Sequence, residues 1–221
     1  MDTLGILGGT GPQGRGLGLR LARAGLAVVI GSRDRERARQ AAAKLRAGAP
    51  GGEVRGEANR DCARADVVVV AVPYAAQAPL LADLAATLAG KLVVSCVNPL
   101  TFDDLGPVPV EVGDGSAAEE AQRLLPHSRV VSAFTAVSAR RLLADGPLAD
   151  DVPVFGDDDG ARAQVGKLAE RIPGLRWVDA GPLRLAGCWE RLTAVLLSIN
   201  ARYHIHAGVR IDGLGSGSRD A

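Results

Sequence analysis

Hydrophobic residues along this chain fall in short β-rich runs that alternate with longer segments of helical period. That alternation is the pattern of a largely parallel sheet covered on both faces. Residues 4–7, 26–30 and 66–72 read as strands, and the third is continuous, β-branched and ended by Pro73. Residues 54–57, 92–96, 129–134, 152–156 and 175–178 extend the count to about eight. Pro153 points to an edge position for the strand at 152–156. Helical period covers 14–24, 34–47, 59–65, 77–88, 116–125 and 161–172, with Gly25 as a C-cap and Ser116 and Glu119 as a capping box. A last helix is expected over 183–206, with Leu185, Trp189, Leu192, Leu196 and Ile199 on one stripe. Residues 101–115 read as a surface loop, and 213–218, rich in glycine and serine, as a flexible tail. The architecture implied is α/β: a Rossmann-type, doubly wound, mainly parallel sheet with a small C-terminal helical part. The expected division is 1–180 for the dinucleotide-binding domain and 181–221 for the helical segment.

The first strand runs directly into Gly8-Gly9-Thr10-Gly11-Pro12-Gln13-Gly14, and a helical pattern begins just beyond. Strand, glycine turn and helix start form the geometry that seats a dinucleotide pyrophosphate. Gly9 is expected to allow the tight turn, Gly11 to let backbone approach phosphate, and Gly14 to let helix and strand pack closely. Backbone N–H groups and the helix dipole then favour the anion.

The end of the second strand identifies which dinucleotide. A site for NAD places Asp or Glu about 20 residues beyond the fingerprint to accept from the ribose hydroxyls. Here that place holds Ser32 and Arg33, with Arg37 one helical turn further on. Hydroxyl and guanidinium groups bond to a 2′-phosphate, with charge-assisted bonds of about 1.5–3 kcal/mol each. NADP is therefore the expected cofactor. Arg35 and Arg39, with Asp34 and Glu36 as neighbours, read instead as a solvated helix face. Ligands of such sheets collect at the carboxyl ends of the strands, which brings Val72, Pro73, Val97, Asn98, Pro99 and Thr135 towards the cofactor. The two prolines also simply terminate strands.

Composition narrows the field. A chain of 221 residues with 47% hydrophobic and 23% charged content suits a soluble globular domain with a small appendage. Its net charge of +1 argues against a broad surface for nucleic acid or anionic membrane. There is no membrane-spanning run and no signal-peptide pattern, so a cytoplasmic protein is expected. Cys62, Cys96 and Cys188 have neither metal-ligand nor redox-pair spacing and read as buried thiols. Asp157, Asp158 and Asp159 precede a helix, where capping is a better reading than a metal cluster. His127 reads as a surface residue, and His204 and His206, two apart, point to different sides of the last helix and form no metal pair.

Five stretches together go further. They are Ile6 to Gly11 with Gly14-Arg15-Gly16-Leu17, Val29-Ile30-Gly31-Ser32-Arg33, Val152 to Asp158, Val178-Asp179-Ala180-Gly181-Pro182-Leu183, and Glu190-Arg191-Leu192-Thr193. The combination resembles the NADP reductases that depend on the 5-deazaflavin coenzyme F-420 (F420), over nearly the whole chain. The resemblance implies reversible direct hydride transfer between NADP(H) and F420, with both held in one cleft as co-substrates, and a homodimer. It also implies that Thr10 and the backbone through Pro12 and Gln13 hold the pyrophosphate, and that Ser32, Arg33 and Arg37 hold the 2′-phosphate. Pro73 and the Val97-Asn98-Pro99 turn would flank ribose and nicotinamide. The family carries His-Thr after the sixth strand, where this chain has Phe134-Thr135-Ala136-Val137. That change removes a side-chain hydrogen bond and leaves Ala136 and Val137 to contact a ring through backbone. The C-terminal helix, expected to complete the deazaflavin cleft and to offer a dimer contact, brings Leu192, Leu196 and Asn200 towards the deazaflavin.

Such chemistry needs few side chains, because the carriers hold the reactivity and the protein aligns them. Two flat rings must meet with reacting carbons about 3–3.5 Å apart. No general acid or base and no metal are expected. An NADPH-dependent imine or ketone reductase is the nearest alternative enzyme, and Tyr74 would be its candidate proton donor. A redox sensor that binds NADPH without turnover is the alternative from another class.

Overall fold

The β-branched run Val67–Val70 lies at the middle of the sheet as β4, with all four residues buried. The computed structural model describes residues 3–214. The expected tail at 213–218 therefore lies outside the described residues from 215 onward. In chain order the strands are β1 (Thr3–Leu7), β2 (Ala27–Ser32), β3 (Val54–Ala58), β4, β5 (Leu92–Ser95), β6 (Leu100–Asp103), β7 (Gly106–Pro109), β8 (Arg129–Ser132), β9 (Asp150–Gly156) and β10 (Leu175–Asp179). The helices are α1 (Pro12–Arg23), α2 (Arg35–Gly48), α3 (Asn59–Cys62), α4 (Gln77–Leu88), α5 (Ala117–Leu124), α6 (Ala139–Leu143), α7 (Asp159–Glu170) and α8 (Ala186–Tyr203).

Eight strands form one sheet in the order β10-β9-β8-β5-β4-β1-β2-β3. Strand order reverses between β1 and β4, which are both parallel to their neighbours, so the crevice for a ligand opens above these two. The sheet is a Rossmann-type one, as the alternation of runs requires. Two apolar layers cover it. Leu17, Leu21, Leu45, Val165 and Leu168 pack on one face, and Leu81, Leu84, Leu88 and Ala121 on the other.

Four expectations need correction. The strand at 152–156 is not an edge: β9 lies between β8 and β10, antiparallel to the former. Val154 O accepts from Ala180 N, so Val154 faces β10 and alternation turns the Pro153 nitrogen to the other side. There β8 pairs only with Phe155 and Gly156, and the missing N–H leaves no ladder bond unmade. Residues 101–115 are not all loop, because β6 and β7 form an antiparallel hairpin. Asp103 Oδ1 closes its turn by accepting from Leu105 N and Gly106 N. The last helix begins at Ala186, after a 3-10 turn over Leu183–Leu185, and stops at Tyr203. His206 is therefore outside it. Cys62 and Cys96 are buried, but Cys188 is exposed on α8.

Other local readings hold. Ser116 Oγ accepts from Glu119 N at 3.0 Å and donates to the Glu119 carboxylate at 2.8 Å, capping α5. Asp158 caps α7 through Ala161 N, Asp157 accepts from Leu183 N, and Asp159 pairs with Arg162. All three aspartates serve local structure. His127 is exposed. No helix among the described residues is long and apolar enough to cross a membrane.

Candidate functional site

The glycine turn connects β1 to α1 as the spacing requires, with one change in which glycine bends. Gly8 carries the left-handed conformation, φ 70°, whereas Gly9 is needed for space. A methyl group on Gly9 would lie 2.8 Å from Ile6 O, and one on Gly14 would lie 2.6 Å from the Gly9 Cα. Gly14 thus permits the close helix–strand approach. Gly11 is the N-cap of α1 and offers no side-chain cap, and Pro12 follows it in the first turn. By contrast α2, the next helix, is capped by Asp34, whose carboxylate accepts from Glu36 N and Arg37 N. The start of α1 is left to an outside acceptor, while the start of α2 is satisfied by the chain.

At the end of β2, Ser32 is buried and its hydroxyl accepts from Asp34 N at 3.2 Å. Arg33 and Arg37 are exposed beside it. Arg37 lines a cavity of about 200 Å³ together with Thr10, Arg15, Gln40, Ala41 and Lys44. Three cations and no carboxylate face this space, and Arg15 Nε is buried there without a partner. That is the electrostatics of an anion site. Arg35 instead pairs with Glu57 and Asp61, in keeping with a solvated face.

A larger cavity, about 570 Å³, opens on the other side of the turn. Gln13, Asn98, residues 135–140 and the α8 residues Thr193, Leu196, Leu197, Asn200 and Ala201 line it, and residues 204–207 complete it. It brings together Gln13, Asn98, Ala136 and Val137 from the expected set, with Leu196 and Asn200 of the expected helix neighbours. Val72, Pro73, Val97, Pro99 and Leu192 are not among the residues lining either cavity. Pro73 is exposed at the strand end, and Val97 and Pro99 are buried beneath the turn.

The walls are locked by hydrogen bonds. Gln13 Nε2 donates to Phe134 O at 3.0 Å, which ties the glycine turn to the end of β8. Asn98 Nδ2 and Thr193 Oγ1 both donate to Thr135 O, at 2.8 and 3.2 Å. Asn98 Oδ1 is buried and has no partner, so a residue of the cavity wall carries an acceptor in want of a donor. Phe134 adopts φ 60° with its side chain in the core, so its carbonyl rather than its ring faces the turn.

His204 and His206 are exposed and also line the cavity, a role their sequence positions do not reveal. His204 is the C-cap of α8 in the left-handed conformation, so the chain turns back there and carries both histidines to the rim. A helix that ends on a non-glycine left-handed residue leaves little signal, because glycine is the usual mark. Arg140 on α6 joins them. Tyr74 is in neither cavity, and its hydroxyl donates to Glu120 Oε1 at 3.1 Å.

Comparisons with known proteins agree with this geometry. The family model for NADP oxidoreductases, coenzyme F420-dependent, matches residues 3–99. The F420-dependent NADP reductase of Methanothermobacter marburgensis is 39% identical over 218 residues, which covers 95% of this chain and 97% of the relative. That of Methanocaldococcus jannaschii is 38% identical over 219 residues, covering 95% and 97%. A crystal structure of a protein assigned as an F420-dependent NADP reductase from an Arthrobacter species superposes with a TM-score of 0.82. It is 28% identical, and the match covers 96% of this chain and 99% of that one.

Proposed function

The chain belongs to the F420-dependent NADP reductases, and from that premise we propose how its two cavities divide the work. The activity is an oxidoreductase one that acts on NADP and F420. The observation that carries the division is the partnerless Asn98 Oδ1 in an otherwise bonded wall, between an uncapped glycine turn and a cavity large enough for a second ring.

NADP fits the residues present. The uncapped start of α1, from Gly11 to Gly14, receives the pyrophosphate beside Thr10, and Gly9 keeps the turn tight. Arg37 of the smaller cavity, with Ser32 and Arg33 at the end of β2 outside its lining, takes the 2′-phosphate, and Arg15 and Lys44 add positive charge. Asn98 Oδ1 accepts from the carboxamide end of the nicotinamide, and Val72, Pro73, Val97 and Pro99 shape the path between. F420 enters the larger cavity over Ala136 and Val137, against Leu196 and Leu197 of α8. Arg140, His204 and His206 stand at its rim, suited to the acidic tail. When both carriers are bound, a hydride passes directly between nicotinamide and deazaflavin. The protein's part is alignment and exclusion of water. Ala136, Val137, Leu196 and Leu197 give an apolar slot, and the Gln13, Asn98 and Thr193 bonds hold its walls.

The same proposal keeps residues 1–180 as the NADP-binding domain and 181–221 as the segment that completes the cleft. A homodimer through the outer face of α8 and the 3-10 turn before it, where Leu185, Val195 and Tyr203 are exposed, and a cytoplasmic setting belong to it too. The test is optical: NADPH mixed with F420 and the protein is expected to bleach the deazaflavin's visible absorption. Oxidation of NADPH by an imine with F420 untouched would transfer the assignment to the imine reductases, and no turnover with either would favour a sensor.

A further inference from the structure

Beyond α8 the chain turns at His204 and runs back along β9. The turn carries His204, Ile205, His206 and Ala207 into the wall of the larger cavity. These four residues are exposed or half-buried, and little of their own packing fixes them. What fixes them lies on either side. Upstream, Ala207 N donates to Asn200 Oδ1 at 2.6 Å, which closes the turn onto α8. Downstream, Val209 O accepts from Asp151 N at 2.7 Å, and Ile211 N donates to Asp151 Oδ2 at 2.6 Å.

Asp151 is on β9 with its side chain fully buried, and Arg176 on β10 grips both its oxygens at 2.7 Å. That bidentate pairing holds the carboxyl below its usual range. The guanidinium donates further to Ile211 O at 2.9 Å and Leu214 O at 2.6 Å. One register along β9, Asp150 pairs with Arg141 of α6 at 2.5 Å. The strap passes directly over this second pair, and a methyl group at residue 208 would overlap Asp150 Oδ1 and Arg141 Nη1. Only glycine fits. Arg141 follows Ala139 and Arg140, which form the facing wall of the cavity. The two ion pairs thus join both walls through β9.

A purely structural account would have Asp151 and Arg176 clip β9 to β10. Those strands already pair in parallel register from Leu175↔Asp150 to Asp179↔Val154. The backbone partners this ion pair recruits beyond β9 and β10 all lie in 209–214. We propose that Asp151, Arg176 and Gly208 are positioning residues for the deazaflavin: they hold residues 204–214 as a strap whose 204–207 turn completes the pocket. This rests on the reading of the larger cavity as the F420 site.

The test loosens the strap while Asp151 and Arg176 stay paired, since removing one of them would leave a buried charge and risk the fold. Gly208→Ala introduces the overlap, and Ile211→Pro removes the N–H given to Asp151, with Ile211→Ala as the control that keeps it. The KM for F420 is expected to rise about tenfold, the loss of roughly one hydrogen bond's worth of restraint, while the KM for NADPH stays within about twofold. Amide exchange over 204–210 should quicken in both variants and not in the control. Faster exchange with an unchanged KM for F420, or equal rises in both constants, overturns the positioning role. A wild-type protein that does not reduce F420 overturns the cavity reading itself, a distinct outcome.

Discussion

The smaller cavity takes all its lining from residues 10–44, one β-α-β unit and the helix that follows. The larger draws on residues from Gln13 to Ala207, contributed by α1, the turns after β5 and β8, α6, α8 and the strap. The first is therefore built by local rules: glycines where backbone must bend or approach, and α2 cations two helical turns apart, Arg37 and Lys44. The second exists only when distant segments are pinned together, by Gln13 to Phe134 and by Asn98 and Thr193 to Thr135. Local construction makes the smaller cavity, the end proposed for NADP, tolerant of change elsewhere. Assembled construction makes the larger, the end proposed for F420, the one that remote substitutions reach.

Glu190 is expected to give the largest difference of that kind. It lies on α8, one turn before Thr193, and is fully buried. Its carboxyl accepts from Ala117 N at 2.8 Å and Ala118 N at 3.1 Å, so α8 caps the start of α5. Burial pushes its pKa from 4.5 up to about 7, against those two N–H bonds. The folded protein therefore holds a proton that the unfolded chain releases. The resulting stability is fully present below pH 4.5 and lost as pH rises to about 7, in total of the order of 3 kcal/mol. Glu190→Gln has no such dependence. Melting curves across this window should show wild-type stability falling relative to the variant. A constant difference would mean that the carboxylate is already ionised in the fold.

The end proposed for NADP has its own test, of smaller expected size. Arg33 is exposed at the end of β2 and pairs with no carboxylate of the chain among the described residues. Arg33→Ala should raise the KM for NADP by about ten- to a hundredfold, the equivalent of one charge-assisted bond. The KM for NAD should barely move, and so should that for F420. Equal loss with NAD and NADP would place Arg33 outside the 2′-phosphate pocket, and a matching loss with F420 would dissolve the contrast between the two ends.

This contrast explains what could be read along the chain. Segments that bury one face or both announce themselves, as Val67–Val70 and Gln77–Leu88 do. The hairpin of β6 and β7 does not, because Phe102 is 68% exposed and neither strand shows a core-facing alternation. The five-residue α6 is too short for a helical period. It is held instead by Arg20, buried on α1, which donates to the carbonyls of Arg141, Leu142 and Ala144. The direction of β9 follows from pairing across the sheet, on which its residues are silent. For the same reason Thr10 and Arg37 could be picked out in advance, whereas the histidines at the rim depended on where α8 ends.

Tyr74 should give the smallest effect. Were the protein to reduce an imine or ketone, a proton would have to reach the product from a donor beside the nicotinamide. Tyr74 follows β4 and its connecting Pro73, near enough in the chain to invite that role. Its hydroxyl, however, donates to Glu120 on α5, which also accepts from Gln77 Nε2 at 2.8 Å. Burial, and then the neighbouring Glu120 carboxylate, push the phenol pKa above its ordinary value, which makes release of the proton harder. Transfer of a hydride between two carriers leaves only a ring nitrogen of the reduced deazaflavin to be protonated, which water can do. Tyr74→Phe should leave kcat for F420 reduction within about twofold, since only an outlying hydrogen bond is lost. A fall of a hundredfold or more, with KM unchanged, would show that the proton of Tyr74 enters the reaction and that water is not its source.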